Sequence, residues 1–306
     1  MTPPDDWSRR RPPLLTPGDL VAAVAPAGPP SHDGVTGGVA LLESWGLRVR
    51  LMPAALAGHP SGFLAADDDR RLADLEAAFG DDEVAAVFCL RGGYGSQRLL
   101  DRLDVAPLVE RPKAFVGFSD LTALHVALGQ RAGLMTFHGP NLAGDPRRIG
   151  QAGAASLHRA VSGGEPEVIT GEPLRPGRVR APVVGGNLTL LSTLCGTPDE
   201  LDAAGAILLL EDVGEAPYRL DRALTHLRRA GMLDGVAGLA FGTFVDCGGR
   251  PGEAVPLDVA AAHARQLDVP AVANLPLGHG PEQRTVLLGA PTELDATAGS
   301  LVQDWT

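Results

Sequence analysis

A chain of 306 residues, 44% hydrophobic and 21% charged, has the composition of a globular protein long enough for two cores, which argues against a disordered chain or a coiled coil. Its net charge of −11 repels nucleic acid and anionic lipid at long range, so neither is an expected partner and an acidic ligand needs local arginines. Cys89, Cys195 and Cys247 show no CxxC spacing and cannot all pair within one chain, which fits a reducing compartment and cysteines acting as small core residues.

Arg9-Arg10-Arg11 followed by the apolar stretch from Leu20 imitates an export signal, but Pro12, Pro13, Pro17 and Asp19 interrupt the apolar region. Residues 1–15 therefore read as a loose tail, 20–25 as the first buried strand, and the location as cytoplasmic. No apolar run reaches 18 residues, so no membrane span is expected.

Residues 16–143 alternate short apolar runs with helix-length segments, the pattern of a parallel sheet covered by helices. The expected strands are Leu20–Ala25, Leu47–Leu51, Val84–Leu90, Ala114–Phe118 and Leu134–Phe137. Helices are expected over Val35–Trp45 and Asp67–Phe79. In the second helix Leu72, Leu75, Ala78 and Phe79 keep helical spacing, and Asp67-Asp68-Asp69 places negative charge at its start, the ordinary role of such a run. Residues 144–182, rich in Gly, Pro and Arg, read as an interdomain connection with one helix at Ala152–Val161. Residues 183–306 form a second unit, with helices at Asn187–Leu194 and Arg219–Ala230 and strands at Ala206–Leu210, Val236–Phe244 and Val286–Leu288.

The run Phe115-Val116-Gly117-Phe118-Ser119-Asp120 turns from a strand into a helical segment. A serine there can present Oγ as a nucleophile beside helix-start N–H groups, yet on the turn alone a serine before Asp-Leu-Thr reads more readily as an N-cap, and Leu121 stands where a Gly-x-Ser-x-Gly motif has its second glycine. Arg91-Gly92-Gly93-Tyr94-Gly95 follows the strand Val84–Leu90 and can point N–H groups at an anion, or be a tight turn. It matches neither Gly-x-Gly-x-x-Gly nor a P-loop, and no cofactor is expected. Val184-Gly185-Gly186-Asn187 reads as a structural turn. Glu211 closes a buried strand and suits a group that orients an imidazole, with Glu215 as its rival. Among eight histidines, His279 lies between glycines and is the preferred base, with His138 in reserve; His125, His158, His226 and His263 read as surface or packing residues. No histidine and carboxylate pair shows metal-ligand spacing, so no metal is expected.

Arg91-Gly92-Gly93-Tyr94-Gly95, Gly117-Phe118-Ser119-Asp120, His138-Gly139-Pro140, Gly185-Gly186-Asn187-Leu188, Leu210-Glu211-Asp212 with Tyr218-Arg219-Leu220-Asp221-Arg222, and Gly278-His279-Gly280 resemble, in that order, the LD-carboxypeptidase family of serine peptidases. That family includes muramoyltetrapeptide carboxypeptidases and microcin C immunity peptidases. The resemblance implies an α/β fold with an N-terminal parallel-sheet nucleophile domain, a smaller C-terminal α/β domain and the active site between them. It implies a triad of Ser119, Glu211 and His279, an oxyanion hole from the N–H groups of Gly92 or Gly93 and of Asp120, and a homodimer.

The substrate it implies is a muropeptide tetrapeptide that loses a terminal D-Ala. The alternative within the family is cleavage of peptidyl or aminoacyl nucleotides, and no Phe, Tyr or Trp between Phe137 and Tyr218 is present to stack on a base. An alternative of another class is a non-catalytic module binding an anion or ligand at Gly92-Gly93. For an anionic substrate Arg91, Arg98, Arg219, Arg222 and Arg284 are candidate carboxylate partners, and Tyr94 is a further candidate contact.

Overall fold

The computed structural model describes residues 9–144, 146–250 and 252–303. The first part of the chain runs β1 (Leu20–Val24), α1 (His32–Ser44), β2 (Arg48–Leu51), α2 (Asp68–Gly80), β3 (Val84–Cys89), α3 (Ala106–Glu110), β4 (Ala114–Gly117), α4 (Thr122–Arg131) and β5 (Thr136–His138). The five strands expected from the apolar runs all form, with ends that move by one or two residues. Strand β1 is buried at every position, as suits a strand with helices on both faces. Helix α2 is capped by the Asp67 side chain, which accepts the Arg70 N–H, and has Asp68 and Asp69 in its first turn, where the helix dipole favours them.

The chain continues through α5 (Pro146–Ser162), β6 (Glu167–Thr170), β7 (Glu172–Arg175), β8 (Arg178–Asn187), α6 (Leu188–Leu194), β9 (Ile207–Val213), α7 (Pro217–Ala230) and β10 (Gly238–Val245). It ends with α8 (Pro256–Leu267), β11 (Ala271–Ala273), β12 (Val286–Leu288), β13 (Pro291–Asp295) and β14 (Ser300–Gln303). Two sheets result, a six-stranded one in the order β12-β5-β4-β3-β1-β2 and an eight-stranded one in the order β6-β14-β13-β8-β9-β10-β11-β7. The fold is thus α/β with two sheets, the first parallel from β2 to β5 and closed by the antiparallel β12.

Several segments differ from the sequence reading: Val184-Gly185-Gly186-Asn187, read as a turn, is the buried end of strand β8 and pairs in parallel with β9, because glycines there let Gly186 pass close to Thr122. Residues 1–8 lie outside the described residues, but 9–15 are tied down: Arg10 bridges to Leu134, and the Leu15 N–H reaches the Val161 carbonyl while its side chain is buried. Residues 144–182 hold more than one helix, because β6 pairs with β14 and β7 with β11, both far along the chain. That gives the second sheet its larger strand number. Finally, Val286–Leu288 forms a strand as expected but joins the first sheet, with Val286 opposite His138.

The crossing of β12 matters for the site. It anchors the chain just after His279 to the sheet that ends in Ser119. The two sheets also share apolar packing, since Val126 and Leu128 of α4 and Leu188 and Leu191 of α6 belong to one buried cluster. At this junction Gly186 has φ +146, and a Cβ there would stand 2.6 Å from Thr122 Oγ1. Only glycine permits that approach. The Thr122 hydroxyl accepts the Asn187 N–H at 3.0 Å, so the strand end of the second sheet is bonded to the helix that follows Ser119.

Candidate active site

Strand β4 delivers Ser119 at its carboxyl end, in the left-handed region with φ 68. A non-glycine residue held there stores on the order of 1–3 kcal/mol of strain, which the surrounding packing must offset. The hydroxyl does not cap α4, contrary to the N-cap alternative, and it lies 3.1 Å from His279 Nε2. The turn is braced from below by Asn141, buried beside it, whose Oδ1 accepts the Phe118 N–H at 3.2 Å.

His279 Nδ1 lies 2.6 Å from Glu211 Oε2. Glu211 is fully buried near the end of β9, within β8-β9-β10 pairing, so its carboxylate is held by the sheet. The loop that carries His279 needs its glycines. Gly278 has φ +95, and a Cβ on it would sit 2.3 Å from Glu211 Oε2. Thr243 of β10 fixes the loop at two points, accepting the Gly280 N–H at 2.9 Å and donating its hydroxyl to the Leu277 carbonyl at 3.1 Å. The Phe118 ring packs against the imidazole with centroids 4.8 Å apart.

The glycine loop after β3 faces this group. A Cβ on Gly92 would stand 2.9 Å from Ser119 Cβ and 3.1 Å from its Oγ, so the loop backbone runs directly over the serine. Ser96 bonds the loop to the serine turn: its N–H donates to Asp120 Oδ2 at 2.8 Å and its hydroxyl to the Asp120 carbonyl at 2.6 Å. Buried Arg71 bonds the same loop to the body of the domain through the carbonyls of Gly95, Pro26 and Ala66. Burial raises the Asp120 carboxyl above its ordinary range, against the hydrogen bonds it accepts. Ser119, His279, Gly92, Gly93, Arg91 and Val213 line one cleft of about 510 Å³.

The remaining sequence candidates separate. Arg91 lines the cleft, with Nη1 on the Pro29 carbonyl at 2.5 Å. Tyr94 is exposed and turns its ring onto Phe63 at 5.7 Å between centroids. Arg98 is held by Asp68, and Arg284 by Glu167 at 3.2 Å. Arg219 and Arg222 line a second groove between α6 and α7, where Glu215, the rival carboxylate, pairs with Arg219 at 3.3 Å. His138, the reserve base, is fully buried; burial first, then His279, hold its pKa down to about 4 against the opposing pull of Glu211, so it stays neutral. His125, read as a surface or packing residue, is buried and bonds Thr136 Oγ1 and the Gly117 carbonyl, each at 2.8 Å.

Ser96, Asn141 and Thr243 were not singled out from sequence. Each acts by bonding backbone of a neighbouring loop, which leaves no spacing signature.

The described chain matches the LD-carboxypeptidase N-terminal domain over residues 21–139 and the LD-carboxypeptidase C-terminal domain over 180–294. It is 45% identical over 303 residues to a Streptomyces coelicolor protein named as a carboxypeptidase, covering 96% of each chain. It is 35% identical over 292 residues to the murein tetrapeptide carboxypeptidase of Pseudomonas aeruginosa, covering 90% of this chain and 92% of that one. Among solved structures, the muramoyltetrapeptide carboxypeptidase of Oxalobacter formigenes superposes with a TM-score of 0.83 at 28% identity, covering 92% of this chain and 97% of that one. The microcin C7 self immunity protein MccF, solved with aspartyl sulfamoyl adenosine, shares the fold with a TM-score of 0.83 at 20% identity, covering 96% and 98%.

Proposed function

The chain belongs to the LD-carboxypeptidase family, and on that premise we propose that it is a serine-type carboxypeptidase that removes a terminal D-Ala from muropeptide tetrapeptides. The observation that carries this reading is the continuous chain of contacts from Ser119 Oγ to His279 Nε2 at 3.1 Å and from His279 Nδ1 to Glu211 Oε2 at 2.6 Å. Ser119 attacks the scissile carbonyl carbon while Nε2 takes its proton. Glu211 keeps the imidazole in the tautomer with Nδ1 protonated and stabilises the imidazolium that forms.

The negative oxygen of the tetrahedral intermediate is received by the N–H groups of Gly93, or its neighbour Gly92, and of Asp120, which the Ser96 bonds hold in register with the serine. His279 then returns the proton to the leaving amine, D-Ala departs, and a water activated by the same imidazole releases the acyl group. Among the described residues Arg91 is the arginine that lines the cleft, and it receives the terminal carboxylate of the substrate.

Among the described residues no helix is long and apolar enough to cross a membrane, and the proposed setting is cytoplasmic recycling of cell-wall peptides by a homodimer. Sedimentation of the purified chain tests the dimer.

The test of activity is release of D-Ala from disaccharide-tetrapeptide by the parent and by Ser119→Ala, with an aminoacyl sulfamoyl adenosine alongside. Release by the parent alone supports the reading. Cleavage of the nucleotide analogue in its place moves the chain to the immunity class, and binding of the tetrapeptide without release makes it a non-catalytic module.

A further inference from the structure

The groove between α6 and α7 is separate from the catalytic cleft yet begins beside it. Val213 lines the cleft, and Glu215, two residues on, lines the groove, so the two are about 7 Å apart along the chain at most. The groove floor is bonded to the triad strand: the Thr189 N–H and hydroxyl both donate to Asp212 Oδ2, at 3.0 and 2.8 Å, and Asp212 follows Glu211. Its volume is about 430 Å³, enough for part of a ligand.

The charge of the groove runs against that of the molecule. In a chain of net charge −11, it collects Arg219, Arg222 and His226 along one face of α7. Arg219 is neutralised by Glu215 at 3.3 Å. Arg222 makes no ion pair among the described residues; it lies 5.8 Å from the centroid of the Tyr218 ring, which Arg219 also approaches at 5.9 Å, and its N–H groups stay free to donate. His226 stands one helical turn further along.

We propose that this groove is a second carboxylate subsite, centred on Arg222, which reads an acidic group of the substrate remote from the bond that is cut. This rests on the peptidase reading above and deepens it. The distance argument separates the two arginine sites. The terminal carboxylate of a departing amino acid lies within about 5 Å of the scissile carbonyl, so its partner must share the cleft with Ser119, as Arg91 does. A group bound at Arg222 lies beyond the 213–215 loop and belongs to a distant part of the same molecule. The substrate class is therefore a peptide with two well-separated carboxylates, one terminal and one internal.

The experiment measures binding by calorimetry to Ser119→Ala and to Ser119→Ala/Arg222→Gln. The probes are a tetrapeptide with its internal carboxylates free and the same peptide with them amidated. Turnover of the free peptide by the parent, followed in parallel, reads the peptidase assignment independently. The subsite predicts that the free peptide binds the double variant about tenfold more weakly, while the amidated peptide binds both proteins equally. Equal binding of the free peptide by both proteins overturns it, as does an equal loss for both peptides. Should the Arg222→Gln chain fail to fold, the two peptides compared on Ser119→Ala decide the matter, since an absent preference for the free form also overturns the proposal.

Discussion

Ser96 and Asp120 are joined by two hydrogen bonds, the Ser96 N–H to Asp120 Oδ2 at 2.8 Å and the Ser96 hydroxyl to the Asp120 carbonyl at 2.6 Å. Both residues are buried, and they tie the glycine loop after β3 to the turn after β4. The two proposed oxyanion donors sit on either side of this tie.

Ser96→Ala removes the hydroxyl bond and leaves the Asp120 carbonyl short of a partner. The spacing of the Gly93 and Asp120 N–H groups then loosens, and since a misplacement of about 1 Å costs on the order of a hundredfold in rate, a fall in kcat of that order is expected with a smaller change in KM. Steady-state kinetics on the tetrapeptide check it. A variant that loses KM and kcat in equal parts points to general damage, and Ser96→Thr, which restores a hydroxyl, is expected to recover part of kcat.

Gly92→Ala tests how closely the loop approaches the nucleophile. Its Cβ would lie 2.9 Å from Ser119 Cβ, closer than real contacts allow, and a tight 3.1 Å from Oγ, so either the loop or the serine must shift. The expected outcome is a folded protein with activity reduced by at least about a hundredfold. A thermal melt with phosphonylation of Ser119 Oγ by a fluorophosphonate probe, which loses fluoride, separates loss of fold from loss of the nucleophile.

The buried histidines predict the pH dependence of stability. Burial, mainly, lowers the pKa of His125 to about 3 and that of His138 to about 4, against an ordinary value near 6.5. A group whose folded pKa is depressed is fully compatible with the native state above its unfolded pKa. Stability therefore falls as pH drops from about 6.5 towards 4 for His138 and towards 3 for His125, because the unfolded chain binds protons that the folded chain refuses. Urea midpoints measured from pH 7 to pH 4.5 are expected to fall, and the fall should be smaller in His138→Gln. A midpoint independent of pH over that range contradicts the assignment.

Much of the first sheet was legible because each strand carries its own apolar run between helix-length segments, as Val84–Cys89 and Ala114–Gly117 do. Strands β13 and β14 form a short hairpin whose segments carry no unbroken apolar run, and β6 and β7 were not legible because β7 contains Pro173 and their partners β14 and β11 lie far away in the chain, with Thr170 opposite Ser300. Pairing of that kind has no local signal. The site shows the same division. By residue type and position the glycine loop, Ser119, Glu211 and His279 were candidates with competing structural readings, to which the family resemblance gave roles, and their meeting in space goes with β12 joining the first sheet opposite β5. Nothing in the residues around Val286 distinguishes the sheet it enters.

The strain at Ser119 gives the last prediction. Its φ of 68 is left-handed, a region that costs a side chain but not glycine. Ser119→Gly is therefore expected to be more stable than Ser119→Ala by about 1 kcal/mol, or a few degrees in Tm, although both lose the nucleophile. Comparing each with the parent then separates two contributions: the hydroxyl bond to His279, absent from both variants, and the backbone strain, relieved only by glycine. If Ser119→Gly melts below Ser119→Ala, the entropy that glycine adds to the unfolded chain exceeds the strain, and the turn is then held at no appreciable cost to the fold. If it melts above, the fold gives up stability to present Oγ to His279, as a site selected for attack on a carbonyl would.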